Sequence, residues 1–272
     1  MEKRAHQKVF IAGLGLILLA VSSSYFIFEP ATLKWLARED GLVENLSALN
    51  WLLAAGVMFV LFAKRRNIWF LLLGILFAVC FGEEISWGQR LIGFSTPESI
   101  RANNFQGEFN LHNLNFFERR YGDKGFWAVM RDVGRMFAIF WFMYGIVLPI
   151  SLKLSGRLRK FVQHIRLPVM PLMIGIFFLI NYVVFQYFED IHQLVCARIG
   201  MVNNANCSSL PVEIREWFDS LLFLTFTLFV LAGSPVAYAN SAFDRRDKVV
   251  FASCRTESEC LNSGRGRTAS RL

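Results

Sequence analysis

Apolar residues occur in long blocks along this chain, and short polar connectors separate the blocks. Six blocks approach the roughly 20 residues that an α-helix needs to cross a bilayer. They cover residues 9–28, 44–63, 68–88, 135–152, 168–189 and 217–238. The pattern predicts an all-α fold, a polytopic membrane helix bundle with about six transmembrane helices in a single domain, residues 1–240.

The longest connector, residues 90–134, carries helix signals of its own. Ser95-Thr96-Pro97-Glu98 combines a hydroxyl cap with a proline at the first helical position, so a short helix is expected over about 97–104. The Phe- and Arg-rich stretch 116–131 predicts an amphipathic helix at the membrane interface. Residues 241–272, rich in Ser, Arg, Gly and Thr, predict a basic, disordered tail.

Composition and charge place this bundle in a membrane rather than on nucleic acid. Hydrophobic residues make up 54% of the chain and charged residues 18%, whereas a soluble domain has about 25% charged residues. The net charge of +8 comes from Lys and Arg in connectors such as 64–66 and 153–166, which is the distribution of the positive-inside rule. Both termini and the tail are then cytoplasmic, and residues 90–134 lie outside.

Carboxylates concentrate at the opposite, outer ends of the blocks, together with two histidines. Lipid cannot satisfy such groups, so they are expected to face one another or a water-filled cavity. The set comprises Glu44, Glu83, Glu84, Glu189, Asp190, Asp219, His112 and His192. This segregation predicts a shared polar site at the extracytoplasmic face.

Glu83 and Glu84 follow an apolar run that is short for a membrane span. Ile68 to Gly82 gives 15 uncharged residues, or roughly 22 Å of helix at about 1.5 Å per residue. The hydrocarbon core of a bilayer is about 30 Å thick. Both carboxyls are therefore expected at the membrane boundary, where they need partners, protons or a metal.

Three roles for these groups stay open. In a metal-free hydrolase or transferase, Glu83 or Glu84 is the general base, since loss of water makes a carboxylate a stronger base, and His112 or His192 is the partner acid. In a second, purely structural role, the carboxyls form ion pairs that tie the helices together.

The third role is to bind a divalent metal ion. Glu189-x-x-His192 has the i, i+3 spacing that carboxylate-bridged dimetal proteins use. Glu84 and His112 are candidates for the remaining ligands. Dimetal proteins carry two such motifs, however, and this chain has one.

The stretch from Asn103 to Asn115 is dense in amides and suits a polar substrate. Amide, carboxylate and guanidinium groups bind sugar hydroxyls or a charged headgroup. The candidate substrate-binding residues are Arg90, Gln106, Glu108, Asn110 and Asn113. The alternative is a loop that folds back and satisfies its own backbone, a common use of Asn and Gly.

Three segments of this region carry a family resemblance. Gly82–Arg90, Gln106–Glu108 and Asn110–Leu114 together resemble a group of uncharacterised bacterial multi-spanning membrane proteins. The resemblance implies a bacterial inner membrane and no particular activity. The Glu-Glu pair is also similar to the first motif of the CAAX-type intramembrane proteases, but Gly88 stands where that motif has Arg and the later histidine motifs are missing, so that assignment is rejected.

The preferred function is an enzyme that modifies a lipid or a lipid-linked glycan at the outer leaflet. A proton- or cation-coupled transporter and a non-catalytic membrane assembly component are the alternatives. Cys196 and Cys207 share the last outer connector and are candidates for a disulfide, unless Cys196 is the buried end of the fifth span. The sequence does not indicate an oligomeric state.

Overall fold

The structure is a computed structural model and describes residues 12–20, 23, 28, 32, 35–36, 41–104, 106–117, 132–198 and 210–232. These residues are helical or lie in turns, and no strand occurs among them beyond an isolated bridge between Asn104 and Leu114. The predicted all-α class is therefore confirmed for this part of the chain. Residues 118–131 of the interfacial helix predicted over 116–131 lie outside the described residues, as do the tail 241–272 and the Cys196–Cys207 pairing.

Residues 12–20 are helical, and six longer or equally long helices follow them within the described part of the chain. They are α1 (Leu42–Arg65), α2 (Ile68–Glu84), α3 (Val133–Leu154), α4 (Gly156–His164), α5 (Leu172–Arg198) and α6 (Leu210–Leu231). Single turns of helix occur at Ser86–Gly88, Gln89–Ile92 and Glu98–Arg101. The last begins one residue later than predicted, with Pro97 at the N-cap, and it is shorter.

Two of these helices, α1 and α3, are long and apolar enough to cross a membrane. α5 contributes a shorter apolar stretch, Leu172–Phe185. Helix α4 lies in the connector 153–167, where the block pattern alone indicated only basic residues.

Hydrogen bonds fix the chain direction and define two ends of the bundle. Ser47 near the start of α1 meets Glu84 at the end of α2, so these helices are antiparallel. At the far end of α1, Arg65 donates to the carbonyl of Val230 in α6. We call the end with Ser47 and Glu84 the acidic end, and the end with residues 64–66 and 153–166 the basic end.

The turn between α1 and α2 is tied to the chain after α4. Asn67 caps α2 by accepting from the backbone N–H of Trp69 at 3.1 Å. Its amide also donates to the carbonyl of Arg166 at 2.7 Å, and the Trp69 indole donates to the carbonyl of Ile165 at 2.7 Å. The two basic connectors of the sequence therefore lie side by side.

Aromatic rings fill the centre of the bundle. Trp51, Phe77, Phe178 and Phe223 lie with neighbouring ring centroids 4.9 to 5.6 Å apart and interplanar angles of 34° to 59°. These centroid distances lie within the range of about 4.5–7 Å over which aromatic pairs attract each other. The Phe-rich character of the chain therefore serves packing between α1, α2, α5 and α6.

Helices α3 and α5 approach through two glycines. α3 contains a π-helical turn, Met143–Val147, which is centred on Gly145. A Cβ added to Gly175 would lie 2.0 Å from the carbonyl oxygen of Gly145. Small residues that let two backbones approach this closely are typical of helix pairs in membranes.

Candidate functional site

A strained turn follows α2 and returns the chain to the acidic end. Ser86, Trp87 and Gly88 have φ angles of 46°, 53° and 78°, all in the left-handed region. A serine and a tryptophan there cost free energy that the surrounding structure must supply. The Trp87 ring lies on Gly82, where an added Cβ would come within 2.9 Å of it. The described part of this returning chain consequently meets the end of α2, where Leu111 and His112 bind Glu83.

Glu83 is the hydrogen-bond centre that holds this returning chain. One carboxylate oxygen, Oε1, accepts from the Trp87 indole at 2.6 Å. The other, Oε2, accepts from the backbone N–H groups of Leu111 and His112 at 2.7 and 2.8 Å. Oε2 also lies 3.1 Å from Nδ1 of His112. Since all of these neighbours are donors, Glu83 is held as a carboxylate.

His112 owes its orientation to this carboxylate. Nδ1 faces an atom that only accepts, so Nδ1 carries a proton and a neutral ring has its lone pair on Nε2. The side chain is 40% exposed. Burial lowers the pKa of the imidazole, but the hydrogen bond to Glu83 and the charges of Glu216, Glu83 and Glu84 outweigh it, and the pKa lies above its ordinary value.

Glu84 points into the bundle instead of toward the returning chain. Successive residues of a helix project about 100° apart, and Glu84 accepts from the Ser47 hydroxyl of α1 at 2.7 Å. Its electrostatic neighbours are the carboxyls of Glu216 and Glu44 and the His112 imidazole. The predicted convergence of Glu44, Glu84 and His112 at one end is therefore what the described residues show.

The amide-rich loop is organised by hydrogen bonds among its own side chains. Asn104 donates to the carbonyl and side-chain oxygens of Asn110 at 3.1 and 2.9 Å, and it accepts from the N–H of Gln106 at 2.9 Å. Asn113 donates to the Gln106 side chain. Asn110 and Asn113 are buried. The loop-satisfying alternative thus accounts for these amides, and their role in substrate binding stays a prediction.

Ser86 and Glu108 connect this loop to the strained turn. The Ser86 hydroxyl donates to Oε2 of Glu108 at 2.7 Å, and the Asn110 amide donates to the same oxygen at 3.2 Å. Gln89, which the sequence interpretation passed over, accepts from the N–H of Phe109 and donates to Thr96, both at 2.7 Å.

Three candidate residues have side chains outside the described set. Arg90 lies in the single turn Gln89–Ile92, and Glu189 and His192 lie one helical turn apart in the backbone of α5. Among the side chains that are described, no three His, Cys, Asp or Glu residues come together as a metal site. The metal set Glu84, His112, Glu189 and His192 stays a prediction.

A second polar group lies deeper, between α1, α5 and α6. Asn181 donates to the Asp219 carboxylate at 2.8 Å and to the carbonyl of Arg215 at 3.1 Å. Asn50 donates to the Ser220 hydroxyl at 3.0 Å. Asn181 is fully buried, and its Oδ1 lacks a hydrogen-bond partner among the described residues. The sequence signal for Asn181 was a single amide that interrupts an apolar block.

No protein-family model, curated protein or solved structure matches this chain. The chemistry of the acidic end therefore follows from its geometry. It presents an oriented imidazole, a carboxylate that fixes the ring, and a second carboxyl close by.

Proposed function

We propose that this protein is a multi-pass protein of the bacterial inner membrane, with about six spans and both termini cytoplasmic. The exposed apolar faces of its helices support this setting. Leu49 and Leu53 of α1 and Leu72 and Ile75 of α2 are each about half exposed (47 to 48%) although they belong to the most apolar segments. Apolar patches that span whole helices are unfavourable in water and favourable in lipid.

Within this membrane the protein is an enzyme that uses acid–base catalysis at the outer leaflet. The observation that carries this proposal is the Glu83–His112 pair, Oε2 to Nδ1 at 3.1 Å. A carboxylate behind an imidazole fixes the tautomer and stabilises the imidazolium that forms when the ring takes a proton. His112 is then the general base through Nε2, and Glu83 is its positioning residue.

Glu84 supplies a second titratable group next to the base. It lies within electrostatic reach of His112 and is held by Ser47. A pair of groups in different surroundings can take the acid and base roles of a hydrolase or transferase. Arg90, whose backbone belongs to the same returning chain, is the proposed clamp for an anionic headgroup. His192, with Glu189, remains a candidate partner acid or metal ligand from α5.

The substrate class follows from where the site lies. Glu83 and Glu84 end a 17-residue helix, about 26 Å long at 1.5 Å per residue, so the pair falls near the hydrocarbon boundary. A reacting group at that depth belongs to a lipid headgroup or to a lipid-linked glycan. Nucleic acid is not a substrate of such a site.

Lipid turnover in proteoliposomes tests the enzyme. Purified protein is incubated with inner-membrane lipid extract, and products are identified by mass spectrometry. His112→Asn and Glu84→Gln should each lower turnover at least about 100-fold, the usual range for a general acid or base. Glu98→Gln, an exposed carboxyl that pairs with Arg101 outside the proposed catalytic residues, is the control. Equal turnover in wild type and His112→Asn would reject the catalytic role of His112.

A proton- or cation-coupled transporter is the second candidate, and Asp219 favours it. Its buried carboxylate lies within α6 and is bound by Asn181, and such groups mark ion pathways in transporters. Asp219→Asn should then abolish pH-gradient-driven flux across proteoliposomes and leave lipid turnover unchanged. If the pH-gradient-driven flux requires Asp219 and no lipid turnover is found, the transporter and not the enzyme is the function of the protein.

A further inference from the structure

The basic end carries a short helix that lies across the end of α3. Ser155 caps α4 by accepting from the N–H of Leu158 at 3.3 Å. The Arg159 guanidinium donates to the carbonyl of Leu152 at 2.8 Å, which satisfies a terminal carbonyl of α3. One side of α4 packs inward, because Leu158 and Val162 contact an apolar cluster with Leu152.

The other side of α4 presents cations and an aromatic ring. Four exposed residues lie on one face of this helix, at the i, i+3, i+4 and i+7 positions: Arg157, Lys160, Phe161 and His164. Phe161 is 59% exposed, and Leu154 at the preceding turn is 82% exposed. Water favours neither side chain in this position. A helix with cations beside exposed large apolar residues is the pattern of an interfacial membrane helix.

This surface is purely basic over a wide stretch of chain. Residues 153–166 contain five Lys and Arg, and the sequence has no Asp or Glu from residue 133 to residue 188. The bonds from Asn67 and Trp69 to the chain after α4 bring Lys64, Arg65 and Arg66 alongside, which adds three cations to the five. This surface therefore attracts anionic groups.

The tail of the chain is a poor occupant. Residues 241–272 contain seven Lys and Arg against four Asp and Glu, and they are net positive themselves. Nucleic acid would leave Leu154 and Phe161 without an apolar partner. A leaflet that contains anionic phospholipid satisfies both features, since phosphates meet the cations and acyl chains meet the two apolar side chains.

We infer that the outward face of α4, with Leu154 and residues 64–66, is a binding site for the phosphate headgroups of anionic phospholipids. Arg157 and Lys160 contact the phosphates, and Phe161 and Leu154 insert between acyl chains. The site lies at the opposite end of the bundle from His112, so it is independent of the proposed catalysis and needs only the membrane setting.

Thermal unfolding of the full chain in dodecyl maltoside tests this site. Dioleoyl phosphatidylglycerol should raise the Tm in a saturable manner, since a ligand of the folded state stabilises it. Dioleoyl phosphatidylcholine should have little effect. Arg157→Gln/Lys160→Gln should weaken the apparent affinity for the anionic lipid by about 5-fold per residue, roughly 25-fold together. Arg101→Gln is the matched control, an exposed arginine on the other connector whose change should leave the affinity unaltered.

Two further measurements separate the lipid from other sources of the same chemistry. Leu154→Ser/Phe161→Ser should lose affinity for the lipid, while sn-glycerol 3-phosphate should fail to stabilise any variant. Stabilisation by glycerol phosphate alone would show a free-phosphate site and reject the lipid. Equal affinities of wild type and Arg157→Gln/Lys160→Gln would reject the site altogether. Arg157→Glu/Lys160→Glu guards against misfolding, because a protein that keeps the lipid-free Tm of the wild type but binds the anionic lipid no more weakly than the wild type would also reject the site.

Discussion

Glu83→Gln tests whether the Glu83 carboxylate anchors the loop 106–117 to α2 or is an ordinary surface charge. A glutamine keeps the shape but has a single acceptor oxygen and an amide that donates. With its oxygen at the Oε2 position it retains the backbone N–H groups of Leu111 and His112, but its amide then faces the Trp87 indole donor at 2.6 Å. The reverse orientation is worse, since the amide then faces three donors.

The magnitude follows from the better orientation. A hydrogen bond to a charged acceptor contributes about 1.5–3 kcal/mol and a neutral one about 0.5–1.5 kcal/mol. One bond is lost, which costs about 1.5–3 kcal/mol, and three are weakened by about 1 kcal/mol each, which sums to about 4.5–6 kcal/mol. Since His112 and Trp87 are partly exposed, water replaces some of this. We expect a net cost of about 2–4 kcal/mol for closing the loop 106–117 onto α2.

Hydrogen exchange followed by mass spectrometry measures this cost directly. A loss near 3 kcal/mol raises the opening constant roughly 100-fold, so amides in the peptide that contains Leu111 and His112 should exchange about that much faster in Glu83→Gln. His112→Asn keeps both backbone bonds to Glu83 and should change exchange far less. Glu98→Gln is the matched carboxyl control, because its ion pair with Arg101 is exposed and contributes at most about 1 kcal/mol. Unchanged exchange in Glu83→Gln would refute the anchoring role.

Three further predictions use other parts of the molecule. Gly175→Ala should cost about 1–3 kcal/mol of unfolding free energy, because its Cβ would meet backbone of Gly145 at 2.0 Å, whereas Gly156→Ala, with open space around it, should leave the Tm unchanged. Since the pKa of His112 is raised, the Glu83–His112 bond contributes its full stability below the ordinary histidine pKa and loses it as pH rises through the raised value. Turnover that uses His112 as a base should rise over that same pH range. His112→Asn should remove both the pH dependence of stability and the pH dependence of turnover. Asn181→Leu should destabilise by about 1–3 kcal/mol by leaving the buried Asp219 carboxylate without its amide donor, and Asn181→Leu/Asp219→Leu should recover most of the loss; a double variant as unstable as the single one would contradict this.

The sequence predicted the all-helical class, because long apolar blocks are typical of helices, while two of the six predicted spans are long and apolar enough to cross a membrane among the described residues. The apolar blocks 44–63 and 68–88 correspond to α1 and α2, and the convergence of Glu84 with Glu44 follows from alternating chain direction. Helix α4 was not predicted, since nine residues with few apolar positions give little periodicity. Asn181 was missed because a single amide in an apolar block does not reveal its partner, Asp219, on another helix.

The division of labour within the Glu83-Glu84 pair depends on geometry that no local pattern encodes. The two residues are both glutamates and are adjacent in the sequence, yet their side chains point about 100° apart at the last turn of α2. One direction meets the returning chain, because the left-handed turn at Ser86 and Trp87 reverses the backbone immediately after the helix. Glu83 therefore receives a full set of donors, while Glu84 meets Ser47 and the charges of its own end of the bundle. A carboxylate already surrounded by donors holds structure in place, so Glu84 is the residue that we propose as the acid–base partner of His112.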